Sequence, residues 1–287
     1  MREGQFSRTA LGAAGRRAAH QVIDGARVFD DPLALRILGP DADAAVAEAR
    51  ADPALRGLRF YVAMRSRFAE DAARRAIAHG IRQIVVLGAG LDTFAYRVEP
   101  IEGLRVTEVD HPATQAEKRR RLAAAAIAAP SHVVYAACDF ETESLADALA
   151  ASGFDAGRPS VFLWLGVVPY LTEPAIFATL AFIGALAGGS EVVFDYSSMA
   201  APIAGGGRRR VHEIVRARAE AAGEPLRTFF ATPALHEKLR AIGFRSIEDL
   251  DPNEIVARFF PERAARSSEG GGHFVLAGTS PPRAATA

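Results

Sequence analysis

The chain has 287 residues, 49% of them apolar, which is ample for a substantial core in one large domain or a domain with a cap. Its 34 basic and 34 acidic residues cancel, which argues against nucleic acid or an acidic membrane surface as a partner. The single cysteine, Cys138, excludes an internal disulfide, and MREGQFSRTALGAAGRRAAH holds no apolar run of signal-peptide length, so a cytoplasmic protein is expected.

Taken in chain order, the opening region patterns as helices. DDPLALRILGP has a proline near its start and a Gly-Pro stop, and Asp41 to Arg50 is alanine-rich. Leu58 to His79 carries Phe60, Met64, Phe68, Ala72 and Ala76 at helical spacing, with Gly80 as its C-cap. Residues 1–79 are therefore expected to form a helical N-terminal cap. From residue 80 to 278, strands and helices alternate. The strands are Gln83–Leu87, Arg105–Val109, His132–Ala137, Val161–Leu165, Glu191–Tyr196, Ser246–Leu250 and His273–Ala277; the helices are Ala113–Ala129, Ser144–Ser152, Pro174–Ala187 and Pro233–Ile242. This alternation predicts an α/β fold: a Rossmann-like, mostly parallel sheet with helices on both faces. The last two strands lack a full crossover helix between them, which permits an antiparallel edge. The most apolar helix, Ala175 to Ala187, is shorter than the ~20 residues a bilayer requires, so no membrane span is expected. Ser197 to Phe230 breaks the rhythm with GGGRRR, a charged helix over Val211–Ala222 and GEPLRTFF, and reads as a lid insertion. Gly270–Gly272 is a turn, and Thr279 to Ala287 a disordered tail.

The richest segment is IVVLGAGLDTFAYR, residues 84–97. A buried strand ends at Gly88-Ala89-Gly90, where absent side chains let backbone approach a ligand and the following N–H groups face it. Asp92 places a carboxylate at the rim, suited to a donor-bearing or cationic group. The position where a dinucleotide fingerprint needs its third glycine holds Thr93, so that pattern is incomplete. The second strand ends at Glu108-Val109-Asp110. Asp110, nearer the carboxyl end, can accept both ribose hydroxyls of an adenosine, or it can simply start the helix at His111-Pro112. The third strand ends at Cys138-Asp139-Phe140: an acceptor for an adenine amino group and a ring for its face, or a turn aspartate beside a core phenylalanine. Arg65 can fork onto a carboxylate, or lie on a solvated helix face with Arg67. Tyr170 and Tyr196 follow the fourth and fifth strands, where an acceptor pocket forms, or are core tyrosines. His111 has no second ligand at metal spacing and reads as a helix start; Lys118–Arg121 reads as a solvated face; Arg208–Arg210 reads as an acceptor contact or a charged loop. No catalytic residue is identified, and no nucleophile elbow is present.

Adenine, ribose, amine and carboxylate together describe S-adenosyl-L-methionine. The texts RSRFAEDAARRAIAHGIRQIVVLGAGLDTFAYR, TEVDHPATQAEKRRRL, ACDFET, WLGVVPYLTEPAIFATLAFI and GEPLRTFF…LRAIGF span about residues 58–277. In them the chain resembles the class I S-adenosylmethionine-dependent methyltransferases of the leucine carboxyl methyltransferase-like group, including bacterial O-methyltransferases. The resemblance implies cofactor roles for Arg65, Gly88, Gly90, Asp110 and the pair Asp139-Phe140, where relatives often have Asp-Leu. Relatives also commonly carry a glutamate just before the glycine of WLGVVPYL; here Leu165 stands in its place. The expected activity is methylation of a carboxylate or hydroxyl of a small, polyketide-like metabolite, with a protein C-terminus as another acceptor. The rivals are a non-catalytic adenosyl-ligand-binding or interaction protein, and an NAD(P)-dependent oxidoreductase, which lacks support from any Tyr-x-x-x-Lys pair.

Overall fold

A computed structural model of the chain describes residues 6–198, 206–262 and 271–280. Helices α1 (Arg8–Ile23), α2 (Ala34–Leu38), α3 (Asp41–Ala51) and α4 (Arg56–Ala78) precede the first strand. The sheet is built from β1 (Gln83–Leu87), β2 (Arg105–Asp110), β3 (Val133–Ala137), β4 (Ser160–Trp164), β5 (Ser190–Ser197), β6 (Ser246–Leu250) and β7 (Gly272–Gly278). Its connections carry α5 (Phe94–Arg97), α6 (Pro112–Ala124), α7 (Leu145–Ala151), α8 (Glu173–Gly184), α9 (Gly206–Ala222), α10 (Thr232–Ala241) and α11 (Pro252–Phe259).

The strand order is β3-β2-β1-β4-β5-β7-β6. The first five strands are mutually parallel, and β7 runs antiparallel between β5 and β6. The antiparallel member is thus inside the sheet and β6 forms the edge. A short helix, α11, intervenes before β7, closed by a capping box between Asp251 and Glu254 with proline at its first turn.

Alternation along β1 sets the two cores. Val85 and Leu87 join one face with α7, α8 and α10, while Ile84 and Val86 join the other with α4, α5 and α11. Helix α4 is therefore laid directly on the sheet: Met64, Phe68, Ala72 and Ala76, the stripe legible in the sequence, are buried there. The region expected as a cap contributes its last helix to the sheet's own core. Helices α1 and α2 instead pack with Leu122 and Ile127 in a smaller cluster.

Two helix ends show why local chemistry stops them. After α4, Gly80 at φ +90° lets the Gly80 N–H reach Ile77 O and the Ile81 N–H reach Ala76 O. The alanine run after residue 112 was expected to continue to Ala129, yet α6 ends at Ala124. Ala126 turns left-handed at φ +50°, and the Ile127 N–H closes on Leu122 O so that Ile127 and Leu122 bury together. The same helix corrects the solvated-face reading of Lys118–Arg121. Lys118 is buried and its ammonium contacts Glu108 at 2.7 Å, and Arg121 is mostly buried against Glu117 and Asp41. Among the described residues no helix is long and apolar enough to cross a membrane.

Candidate functional site

Chain order reverses beside β1: β2 and β3 extend one way, β4 and β5 the other. Ligands bind at the carboxyl ends of strands at such a switch point. A crevice of about 2280 Å³ opens there, lined by the ends of β1, β2, β4 and β5 and by α1, α4 and α9. One drug-sized ligand fills roughly 300–1,000 Å³, so a nucleoside and a second molecule fit together.

The glycine turn forms the floor. Gly88 and Gly90 both have positive φ, +62° and +48°. A Cβ on Gly88 would lie 2.4 Å from Val167 Cγ2, and one on Gly90 would meet Ala10 Cβ at 3.0 Å. Close approach of β4's exit loop and of α1 thus requires glycine here as much as φ does. The Gly90 N–H donates to Asp110 Oδ2, and the His111 N–H to Asp110 Oδ1 at 2.7 Å. Burial pushes the Asp110 pKa up, and these two N–H bonds work against it. His111 is the N-cap of α6, its Nδ1 accepting the Ala113 N–H, as expected for a helix start. Glu108, on the same side of β2, is spent on Lys118 and the Tyr96 hydroxyl, and does not line the crevice.

Asp92 lines the crevice and accepts the Phe94 N–H at 2.7 Å. Burial works to raise its pKa, but Arg17, Lys118 and that N–H outweigh burial, and the net shift is downward. Thr93, at the missing third glycine, is fully buried with its hydroxyl on Asp31 at 2.7 Å. Asp139 and Phe140 sit at the tip of β3. Asp139 Oδ1 accepts the Glu141 N–H at 3.0 Å, a turn role, and the Phe140 ring lies tilted against Trp164 at 6.4 Å while still lining the crevice.

Arg65 is mostly buried, not on a solvated face; Arg67 is the exposed one, paired with Asp71. Arg65 Nη1 donates to Asp195 Oδ2 at 2.8 Å, and its guanidinium lies against Gly166, where a Cβ would come within 2.8 Å. Asp195 also accepts the Gly166 N–H at 2.6 Å and the Tyr61 hydroxyl at 3.3 Å. Burial opposes the Arg65 charge, but Asp195 and Tyr61 more than offset it, raising its pKa. Arg65 Nε is buried with no partner among the described residues, so this guanidinium is unsaturated. Asp195 and Tyr61 were not legible as site residues, although an aspartate inside the apolar run EVVFDYS was a signal.

The two tyrosines part company. Tyr170 lines the crevice, and burial raises its pKa while Arg65 and Arg16 lower it and Asp195 raises it. Tyr196 does not reach the crevice. It is buried, its hydroxyl bonded to Asp249 and Thr232 at 2.8 Å each and to His273 at 3.2 Å, because its position on β5 points it into the core opposite Asp195. Glu224, in the stretch read as a lid, accepts from the backbone N–H groups of Arg8 and Thr9 and from the hydroxyls of Ser7 and Thr9, so that it caps α1 over the crevice. The side chains of Arg208–Arg210, and the tail beyond residue 280, lie outside the described residues.

Known proteins match this chain in sequence and in fold. Residues 10–184 fit the family model described as leucine carboxyl methyltransferase. A Bacillus subtilis (strain 168) protein named "Putative S-adenosyl-L-methionine-dependent methyltransferase YktD" is 30% identical over 92% of this chain and 94% of its own. A Saccharopolyspora erythraea protein of the same designation is 36% identical over 67% of this chain and 68% of its own. The crystal structure of "a putative methyltransferase from Thermobifida fusca YX" shares the fold at TM-score 0.54, with 16% identity over 96% of both chains. Parallel strands, glycine turn and these relatives define a Rossmann-like methyltransferase whose cofactor is S-adenosyl-L-methionine. Within that class, the chain belongs to the leucine carboxyl methyltransferase family.

Proposed function

We propose that the protein transfers a methyl group to an oxygen of a small organic acceptor, a carboxylate in preference to a hydroxyl. The buried, unpartnered Arg65 Nε supports a fit to the cofactor: it leaves a donor for an anionic group in a crevice that Asp110 also lines. In this reading Arg65 and the Gly88–Gly90 turn hold the amino-acid end, with Asp92 opposite its ammonium. Asp110 accepts the ribose hydroxyls, and Asp139 and Phe140 receive the adenine. When bound, S-adenosyl-L-methionine supplies a methyl group on a sulfonium, open to in-line attack. The protein's part is to hold the acceptor oxygen about 3 Å from that methyl group and to exclude water. The insertion, tied to α1 through Glu224, serves as the lid.

The choice of oxygen is supported by three lining residues that are each unsuited to act as a general base. Among the described residues the one lining histidine, His111, uses Nδ1 to start α6, and burial pushes the Cys138 thiol up to about 11. Asp195 is committed to Arg65, Gly166 and Tyr61. A carboxylate is a nucleophile without losing a proton at neutral pH; an amine or phenol is not. Leu165 lines the crevice at the position of the family's glutamate, and Asp195 brings an acid beside it from the neighbouring strand. Leu165 also supports a second reading, a protein that binds the cofactor without turnover. Radiolabelled methyl donor offered with carboxylic acids, phenols and amines tests both. Base-labile ester products are expected; base-stable ethers or methylamines overturn the choice of acceptor, and binding with no product for any class favours the second reading.

A further inference from the structure

Asp92 lines the crevice, and the residues on either side of it are gripped from behind. The Leu91 carbonyl, part of the peptide unit that leads into Asp92, accepts from Arg17 Nη2 at 2.6 Å. The other end of that planar unit, the Asp92 N–H, donates to Ala89 O at 2.8 Å. One residue on, the Thr93 hydroxyl donates to Asp31 Oδ1 at 2.7 Å. Arg17 and Asp31 are paired with each other, Nε to Oδ2, at 3.3 Å. A single buried ion pair thus holds the chain immediately before and immediately after Asp92. Thr93 is fully buried and Asp31 is 1% exposed, and neither lines the crevice, so neither can touch a ligand there.

The grip is itself anchored. The Asp31 N–H donates to Gln21 Oε1 at 3.0 Å, and Gln21 Nε2 returns to Arg17 O at 3.1 Å. Asp31 Oδ1 also accepts the Leu33 N–H at 3.1 Å, and Arg97 Nε lies 2.9 Å from Thr93 Oγ1 and 3.2 Å from Asp31 Oδ1. A buried ion pair adds little net stability over apolar residues of the same size; what it supplies is fixed geometry. That geometry matters here because Gly88 and Gly90, just upstream, have no side chains to restrain the turn. Asp92 Oδ1 is already occupied by the Phe94 N–H at 2.7 Å, so the direction of Oδ2 follows the backbone that Arg17 and Asp31 hold. Thr93 stands where a dinucleotide fingerprint has glycine, and a glycine has no hydroxyl to give Asp31.

Resting on the reading in which Asp92 meets the cofactor's ammonium, we propose that Arg17, Asp31 and Thr93 are positioning residues that aim Asp92 and so set the selectivity for an amine on the cofactor. They act through Asp92 and not by contact of their own. Arg17 has a second effect from the same place: burial works to raise the Asp92 pKa, and Arg17 leads the groups that lower it, which keeps the carboxylate ionised to meet a cation. Helix α1 is thereby tied to cofactor recognition from the side opposite the sheet.

The test compares, by calorimetry, S-adenosylhomocysteine with its deamino analogue, which lacks only the amine, and with methylthioadenosine, which lacks the whole amino-acid end. The wild-type protein should prefer S-adenosylhomocysteine to the deamino analogue by about tenfold or more, the scale of one charge-assisted hydrogen bond, and Asp92→Asn should remove most of that preference. Thr93→Val, which deletes the hydroxyl at nearly constant shape, should cut the preference to about threefold or less, and Thr93→Ser should restore it. Arg17→Gln should act like Thr93→Val. Affinity for methylthioadenosine should stay within about twofold in the Thr93 and Arg17 variants. Arg97 remains beside Asp31 in Arg17→Gln, so the carboxylate keeps a counter-charge; if that variant nonetheless fails to fold, the Thr93 pair decides alone. A lower melting temperature with the full preference intact in Thr93→Val makes the grip structural only and overturns the proposal. An equal loss for S-adenosylhomocysteine and the deamino analogue in Arg17→Gln puts Arg17 in direct contact with the cofactor and also overturns it. Absence of any preference in the wild type, or one that survives Asp92→Asn, removes Asp92 from the ammonium and the proposal with it, while the cofactor stands. Failure of the wild-type protein to bind S-adenosylhomocysteine at all removes the methyltransferase reading as well.

Discussion

Asp110→Ala separates the cofactor's ribose from the rest of the site. In the structure the carboxylate accepts the N–H groups of Gly90 and His111, one on each oxygen, and it lines the crevice with its remaining lone pairs. A carboxylate oxygen has two acceptor directions, so ribose hydroxyls can be added without displacing those N–H groups. Truncation removes charge-assisted bonds worth about 1–3 kcal/mol net, or roughly 5- to 150-fold in Kd. It also leaves the Gly90 N–H without its acceptor, which costs about 1 kcal/mol of stability and loosens the turn. Asp110→Asn keeps an acceptor oxygen but loses the charge, and should fall between wild type and alanine. Calorimetry with S-adenosylhomocysteine and with adenosine alone is the assay. Both ligands contain the ribose, so both should weaken by the same factor in Asp110→Ala. Arg65→Gln should weaken S-adenosylhomocysteine and leave adenosine unchanged. A folded Asp110→Ala protein with unaltered affinity for both would show that Asp110 serves only the glycine turn and the start of α6.

Other substitutions probe the frame. Gly88→Ala places a methyl group 2.4 Å from Val167 and holds a non-glycine residue at φ +62°. The combined cost is about 2–5 kcal/mol, and cofactor affinity should fall with the melting temperature. Asp195→Ala leaves Arg65 buried without its counter-charge; about 3–5 kcal/mol should be lost, lowering the melting temperature by ~6–10 °C, and an unshifted transition in differential scanning calorimetry would contradict the pairing. His20 is buried between Asp24 and Phe60, and burial, opposed by Asp24, lowers its pKa from 6.5. A base with a depressed folded pKa favours the neutral form in the folded state. The unfolded chain therefore binds the extra proton first, and stability present above pH 6.5 should decline as pH falls below it. Urea midpoints should drop across that window in wild type and drop less in His20→Gln.

Much of the sheet was legible because its strands are short apolar runs bounded by turn residues, and β1 to β7 fall where periodicity placed them. The glycine turn and Asp110 could be read because their roles depend on strand ends, which local sequence marks. What escaped depends on side chains meeting across the fold. Lys118 looked solvated within a basic run, but Glu108 from β2 draws it into the interior. Tyr196 and Asp195 are adjacent on one strand, and only knowing which face meets the crevice tells which of the two belongs there. Arg16 and Arg17 are indistinguishable in an alanine-rich helix; the tertiary position of Asp31 satisfies one and not the other. Helix α11 was missed despite its Asp-Pro-Asn-Glu start.

The grip of Glu224 on the first turn of α1 joins positions up to 217 residues apart. During synthesis α1 leaves the ribosome early, and its cap arrives only after five strands of the sheet have been made. Until then the donors of Ser7, Arg8 and Thr9 must be satisfied by water, and the crevice has a floor without a roof. On the lid reading, competence to shelter the methyl donor is a late property of the growing chain, acquired when Glu224 reaches the first turn of α1.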